Sequence, residues 1–138
     1  MIICVGEILA DMIGKTEGGR TVYERYAGGA PFNVACGMKD LGTECGFCGR
    51  VGQDLIGDFL VGFAAQKGFD FLDMGKDPER NTTLAFVELD EKGARHFQEP
   101  RRGGFRLREV FGESGHCETV GRGAFAVFEC RDGGRKAV

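Results

Sequence analysis

Apolar positions along the first hundred residues switch between a period of two and a period near 3.6, and the switches mark the elements. The opening "MIICV" is wholly apolar, the mark of a buried strand, and "EILADMIG" continues as an alternating strand. "RTVYERYAGG" alternates weakly, as a solvent-facing strand does. Pro31 stands where a first helical turn tolerates proline, and Phe32, Val34, Ala35, Met38 and Leu41 form the apolar side of the helix that follows. Gly42 is placed to end that helix. "ECGFCGRVG" reads as the next strand, with a glycine-rich exit.

Asp54 is an N-cap candidate for a second helix running to about Lys67, with Ile56, Phe59, Leu60, Phe63 and Ala64 facing a core and Gly68 as the stop. "FDFLDMG" is a further strand, and "TTLAFVELDEKGARHF" reads as a hairpin turning at Asp90–Gly93. Strand, hairpin, helix, strand, helix, strand is the order of a doubly wound α/β sheet carrying an extra antiparallel piece.

Length, 138 residues, allows one ordinary domain. Net charge is −3, which does not suit a polyanion partner, so no nucleic acid is expected for the chain as a whole. No apolar run reaches the ~20 residues that span a bilayer, so no membrane role is expected. The first residues carry Glu7 and Asp11 and no basic leader, and the six cysteines are read as reduced thiols, so the expected location is cytoplasmic. Cys45 and Cys48 have zinc-knuckle spacing, but they sit in a strand pattern and the remaining ligand candidates lie far along the chain; buried thiols are the better reading.

The chain changes character near residue 98. Residues 1–100 hold 10 basic and 16 acidic side chains, whereas residues 101–138 hold 8 basic and 5 acidic, seven of the eight being arginine. Eight glycines fall in that tail, and only "AFAVFEC" sustains a strand period there. The tail, residues 98–138, is read either as a disordered basic arm able to touch nucleic acid or as the product of a shifted reading frame.

Three groups from separate segments are placed to meet at one edge of such a sheet: Asp11 after the first strand, Gly28–Gly29 with Asn33 at the first helix, and Gly52–Asp54 after the next strand. A carboxylate, a side-chain amide and bare backbone N–H groups suit a polyhydroxyl ligand, because an ionised Asp accepts hydroxyl protons and Asn both donates and accepts. Gly28 and Gly29 lack the lysine and serine of a phosphate-gripping P-loop. Asp54 fits a helix cap better than a ligand.

The stretch "GGAPFNVACGMKDLGTECGFCGRVG", residues 28–52, resembles the N-terminal signature of the ribokinase-like (PfkB) carbohydrate kinases. "GEILADMIG" matches that family's first sugar-binding element, "GQDLIGDFL" the segment after its second strand, and "NTTLAFVELDEKGARHF" its substrate-covering β lid. The resemblance spans residues 1–97 and is nearest the fructokinase branch, with ribokinase and 2-keto-3-deoxygluconate kinase as alternatives. It implies an N-terminal portion of a ribokinase-like doubly wound sheet with a small β lid, and ATP-dependent phosphoryl transfer to a sugar hydroxyl with Mg²⁺. Asp11, Gly28, Gly29 and Asn33 would hold the sugar, Phe86 and Phe97 of the lid would add an apolar wall, and lid strands would pair two copies into a homodimer. Ordinary core packing is the competing role for both phenylalanines.

The family's catalytic base lies in a G-x-G-D motif, and neither "GRGAF" nor "CRDGGR" in residues 98–138 matches it. A chain of this length would then be a weakly active or inactive form, or a non-catalytic sugar-binding fragment, with an uncovered sheet face and an open sheet edge. After Phe97 the family continues with an aromatic and then Arg-x-Pro-Gly-Ala-Asp, where this chain has "QEPRRG". One choice of codons, CAG GAG CCC CGG CGC GGx, would encode the latter, and read one base later it would give Arg-Ser-Pro-Gly-Ala, which suggests the shifted frame.

Overall fold

In the computed structural model, the described residues are 1–89, 95–98 and 125–129. They form two four-stranded sheets and two helices. The main sheet contains β1 (Ile2–Gly6), β4 (Cys45–Gly52), β5 (Phe71–Asp77) and β8 (Phe125–Glu129), in the order β5-β4-β1-β8. The smaller sheet contains β2 (Leu9–Glu17), β3 (Arg20–Gly28), β6 (Leu84–Leu89) and β7 (Arg95–Gln98), in the order β3-β2-β6-β7. Helix α1 (Ala30–Asp40) and helix α2 (Leu55–Gln66) are the crossovers between the parallel strands β1, β4 and β5.

The apolar run of β1 pairs in parallel with β4, Ile2 opposite Cys45 and Val5 opposite Cys48. Cys4, Phe47 and Val51 share the face on which both helices pack, with Phe32 and Ala35 from α1 and Leu60 and Ala64 from α2. Phe32 is the hub of this core: its ring meets Phe47 edge-on at 5.1 Å and Phe63 and Phe69 at 6.1 Å each. Burying one such side chain stabilises the fold by about 1.5–3 kcal/mol. Among the described residues both helices cover one face only, as the first half of a doubly wound sheet would.

Several expectations are met. Asp54 caps α2, its Oδ1 accepting the Gly57 N–H at 2.7 Å. Gly42 follows α1 with φ of +78°. Cys4, Cys45 and Cys48 are buried and free, and the Cys45 thiol donates to the Ala35 carbonyl at 3.5 Å. Burial raises the Cys48 thiol to about 11, with Asp73 adding to the effect.

Other expectations need correction. Val34 and Leu41 face solvent, at 42% and 87% exposure, because the stripe that meets the sheet runs through Phe32 and Ala35, with Met38 beside it. The lid is also larger than the 82–97 hairpin. β2 and β3 belong to it, since β2 pairs with β6 in parallel and β6 with β7 antiparallel. The β6–β7 turn at Asp90–Gly93 lies outside the described residues. Finally, β8, the one periodic run of the tail, pairs antiparallel with β1 from Ile2–Glu129 to Gly6–Phe125 and so joins the main sheet.

Candidate sugar-binding corner

Asp11 was expected at the end of the first main-sheet strand. It stands instead inside the lid, as the third residue of β2, opposite Tyr26 of β3. Two residues earlier in β2, Leu9 is paired with Gly28, so Gly28 lies on the same face of the sheet as Asp11. The carboxylate fills the space over Gly28: a Cβ built there would overlap Oδ2 and lie 3.0 Å from Cγ. Asp11 is half-buried, and burial pushes its carboxyl above the ordinary value. Among the described residues no donor reaches it.

Gly29 carries the chain from lid to helix. Its φ of +110° suits glycine, and a Cβ there would come within 2.7 Å of the Glu7 carbonyl. The Gly29 carbonyl accepts the Asn33 N–H at 2.9 Å, which starts α1, and the Asn33 side chain is exposed. No side chain caps this helix start, and no acid lies in its first turn. Its N–H groups therefore carry the partial positive charge of a helix N-terminus. Asp11 and Gly28 thus meet in the lid hairpin, and Gly29 leads from there into the helix that bears Asn33. Together they offer an anionic acceptor, an amide and backbone donors, the set that hydroxyl groups of a small polyol satisfy.

The third group does not join them. Gly52 and Asp54 turn toward Thr82 at the entry to the lid. Asp54 Oδ1 accepts the Thr82 hydroxyl and Oδ2 the Thr82 N–H, both at 2.7 Å. Burial opposes the Asp54 charge, but hydrogen bonds from Thr82, Gly57 and Ile56 outweigh it and hold the carboxyl below its ordinary value. Asp54 has donors that Asp11 lacks among the described residues.

The two lid phenylalanines also part. Phe86 pairs with Met12, on the face opposite Asp11, and its ring meets Tyr23 edge-on at 5.4 Å. Position 97 pairs with Val87, in phase with Ile13 and Asp11. Sequence reasoning missed Thr82, the one buried polar residue among those described, whose only sequence signal was its place just before the lid strand.

Residues 1–101 match the pfkB family of carbohydrate kinases. The chain belongs to that family. The fructokinase of Vibrio alginolyticus is 37% identical over 92 residues, which are 67% of this chain and 29% of that protein. The fructokinase of Klebsiella pneumoniae is 39% identical over 93 residues, again 29% of its length. Among solved structures, a fructokinase from Xylella fastidiosa superposes with a TM-score of 0.64 at 38% identity, covering 72% of this chain and 33% of that one. A fructokinase from the same organism has also been solved with bound ATP. This pfkB-family chain therefore spans about a third or less of the relatives it matches. The two-sheet arrangement is the ribokinase-like α/β fold, of which the described residues make up a part. No helix among the described residues is long and apolar enough to cross a membrane.

Proposed function

We propose that the protein is a fructokinase-like sugar kinase, phosphorylating a hydroxymethyl group with ATP and Mg²⁺, and that the residues described here supply its sugar-holding part. The observation that carries this reading is the half-buried carboxylate of Asp11, pressed on Gly28 and met by no donor among the described residues, where the hairpin leads into α1. In this reading the Asp11 carboxylate accepts protons from sugar hydroxyls, the Asn33 amide bonds a further hydroxyl, and the Gly28–Gly29 backbone lets the ring approach. Position 97, in phase with Asp11, is the better candidate for an apolar wall; Phe86 has packing as its role.

The described residues hold no clustered acids for Mg²⁺ and no P-loop lysine, so no step of phosphoryl transfer is assigned to them. A coupled ADP-release assay with ATP and fructose, ribose or 2-keto-3-deoxygluconate tests the kinase assignment, fructose being the expected substrate. Because residues 98–138 lack the family's G-x-G-D motif, the chain as given is expected to bind sugar with little or no turnover. Brisk turnover by this chain would refute that.

We read the tail as a shifted frame in preference to a basic arm. Sequencing the gene across codons 95–105 checks this, and an unbroken frame in independent reads would overturn it. The exposed outer strand β3, with Val22 at 59% and Tyr26 at 47% exposure, supports a homodimer through the lid. Sedimentation of the intact enzyme tests it. A cytoplasmic site of action accords with phosphorylation by ATP.

A further inference from the structure

Among the described residues, three chain crossings join lid and main sheet: Glu7–Ile8 between β1 and β2, Gly29 between β3 and α1, and residues 78–83 between β5 and β6. The first two pack on each other, the Gly29 Cα against the Glu7 carbonyl. The third is fastened to α2. Thr82 is 7% exposed and its hydroxyl is doubly used, accepting the Gly52 N–H at 3.0 Å while donating to Asp54 Oδ1 at 2.7 Å. Its own N–H donates to Asp54 Oδ2, and the same carboxylate caps α2 through Gly57.

The surroundings leave little freedom. A Cβ on Gly57 would overlap the Gly52 carbonyl oxygen, and one on Gly52 would lie 2.5 Å from the Arg80 carbonyl and 2.6 Å from Asp54 Oδ2. Upstream, Gln53 N–H donates to the Asp77 carbonyl at 3.0 Å, and Asp77 Oδ1 accepts the Glu79 and Arg80 N–H groups, shaping the turn that leads to Thr82. The next residue, Thr83, accepts the Ala10 N–H at 3.1 Å, and Ala10 precedes Asp11. An unbroken line of bonds therefore runs from the start of α2 through Thr82 and Thr83 to the strand that bears Asp11.

We propose that Asp54 and Thr82 form the latch that fixes the lid sheet to the main sheet, which makes Asp54 a positioning residue for the Asp11 carboxylate. The consequence for sugar rests on the function proposed above; the latch itself does not. Asp54 is well suited because one carboxylate serves two masters, helix and crossing, so that lid placement is tied to a rigid element.

Hydrogen exchange on the full chain, with the Thr82→Val and Thr82→Ser variants, tests the latch. Thr82→Val keeps the shape and the α2 cap but removes the hydroxyl. The expected result is at least tenfold faster exchange in β2 and β6 and at the Gly52 N–H, with β1, α2 and the rest of β4 unchanged, and at least tenfold weaker fructose binding. Thr82→Ser, which restores the hydroxyl, should exchange as wild type. Unchanged exchange in Thr82→Val overturns the proposal, as does acceleration spread equally over β1 and β4. A Thr82→Ser variant that behaves like Thr82→Val would also overturn it, since the methyl and not the hydroxyl would then matter. Should the wild type fail to bind fructose while the exchange pattern holds, the latch stands and the sugar reading falls.

Discussion

The Asp11 carboxylate occupies the space that any side chain at position 28 would need. The two residues come from different strands of one hairpin and are brought together by the Leu9–Gly28 register. Gly28→Ala should therefore displace the carboxylate and leave the rest of the hairpin in place. We expect fructose affinity to fall roughly 10- to 100-fold, the loss of a hydrogen bond or two to a charged group. Calorimetric titration measures it. Wild-type affinity in Gly28→Ala would show that the contact is incidental.

Burial sets stability and sugar affinity at odds at Asp11. Its folded-state carboxyl is raised above the ordinary 3.8, so its favourable contribution to folding is full below pH 3.8 and is lost as pH rises through the raised value. Ligand binding follows the opposite course, since only the ionised form accepts hydroxyl protons from both oxygens. Fructose affinity should accordingly climb with pH through that window. Asp11→Asn should flatten the climb and, at pH 7, melt slightly above wild type. A melting temperature lowered by Asp11→Asn would contradict the assigned cost of the buried charge.

Glycines in the helices separate into two kinds. Gly57 lies against the Gly52 carbonyl, whereas nothing comes within 4 Å of a Cβ at Gly62. Gly62→Ala should stabilise the chain by about 0.5–1 kcal/mol through helix propensity. Gly57→Ala should cost at least about 2 kcal/mol, since backbone must move to admit the methyl. Urea denaturation of both variants checks the contrast; equal effects would mean that the Gly57 contact relaxes freely.

Much of this architecture was legible in the residues. Fully apolar "MIICV" gave an interior strand, and Pro31 and Gly42 bracketed the first helix because proline and glycine constrain backbone directly. Asp54 announced itself as a cap for the same local reason. What could not be read was tertiary. No period tells that "EILADMIG" leaves the main sheet for the lid, because an alternating strand suits either. Val34 and Leu41 were misplaced since the width of a buried helical stripe depends on what it meets. Thr82 looks like any loop threonine until Asp54, 28 positions away in sequence, is seen to hold it.

The corner's chemistry was partly visible. Asp11 and Asn33 stood out by residue type and by likeness to a family pattern, while the contact of Asp11 with Gly28 needed the hairpin register. That Phe86 belongs to the Tyr23 face, away from Asp11, follows from counting along the β2–β6 ladder, which sequence alone does not supply.

The most direct test is the dissociation constant for D-fructose, by calorimetry at pH 7, of wild type and of Asp11→Asn in the same buffer. We predict measurable saccharide binding by the wild type and a loss of roughly 10- to 100-fold in Asp11→Asn with the fold retained. Equal affinities in the two proteins would contradict the claim that this half-buried acid is what grips the sugar.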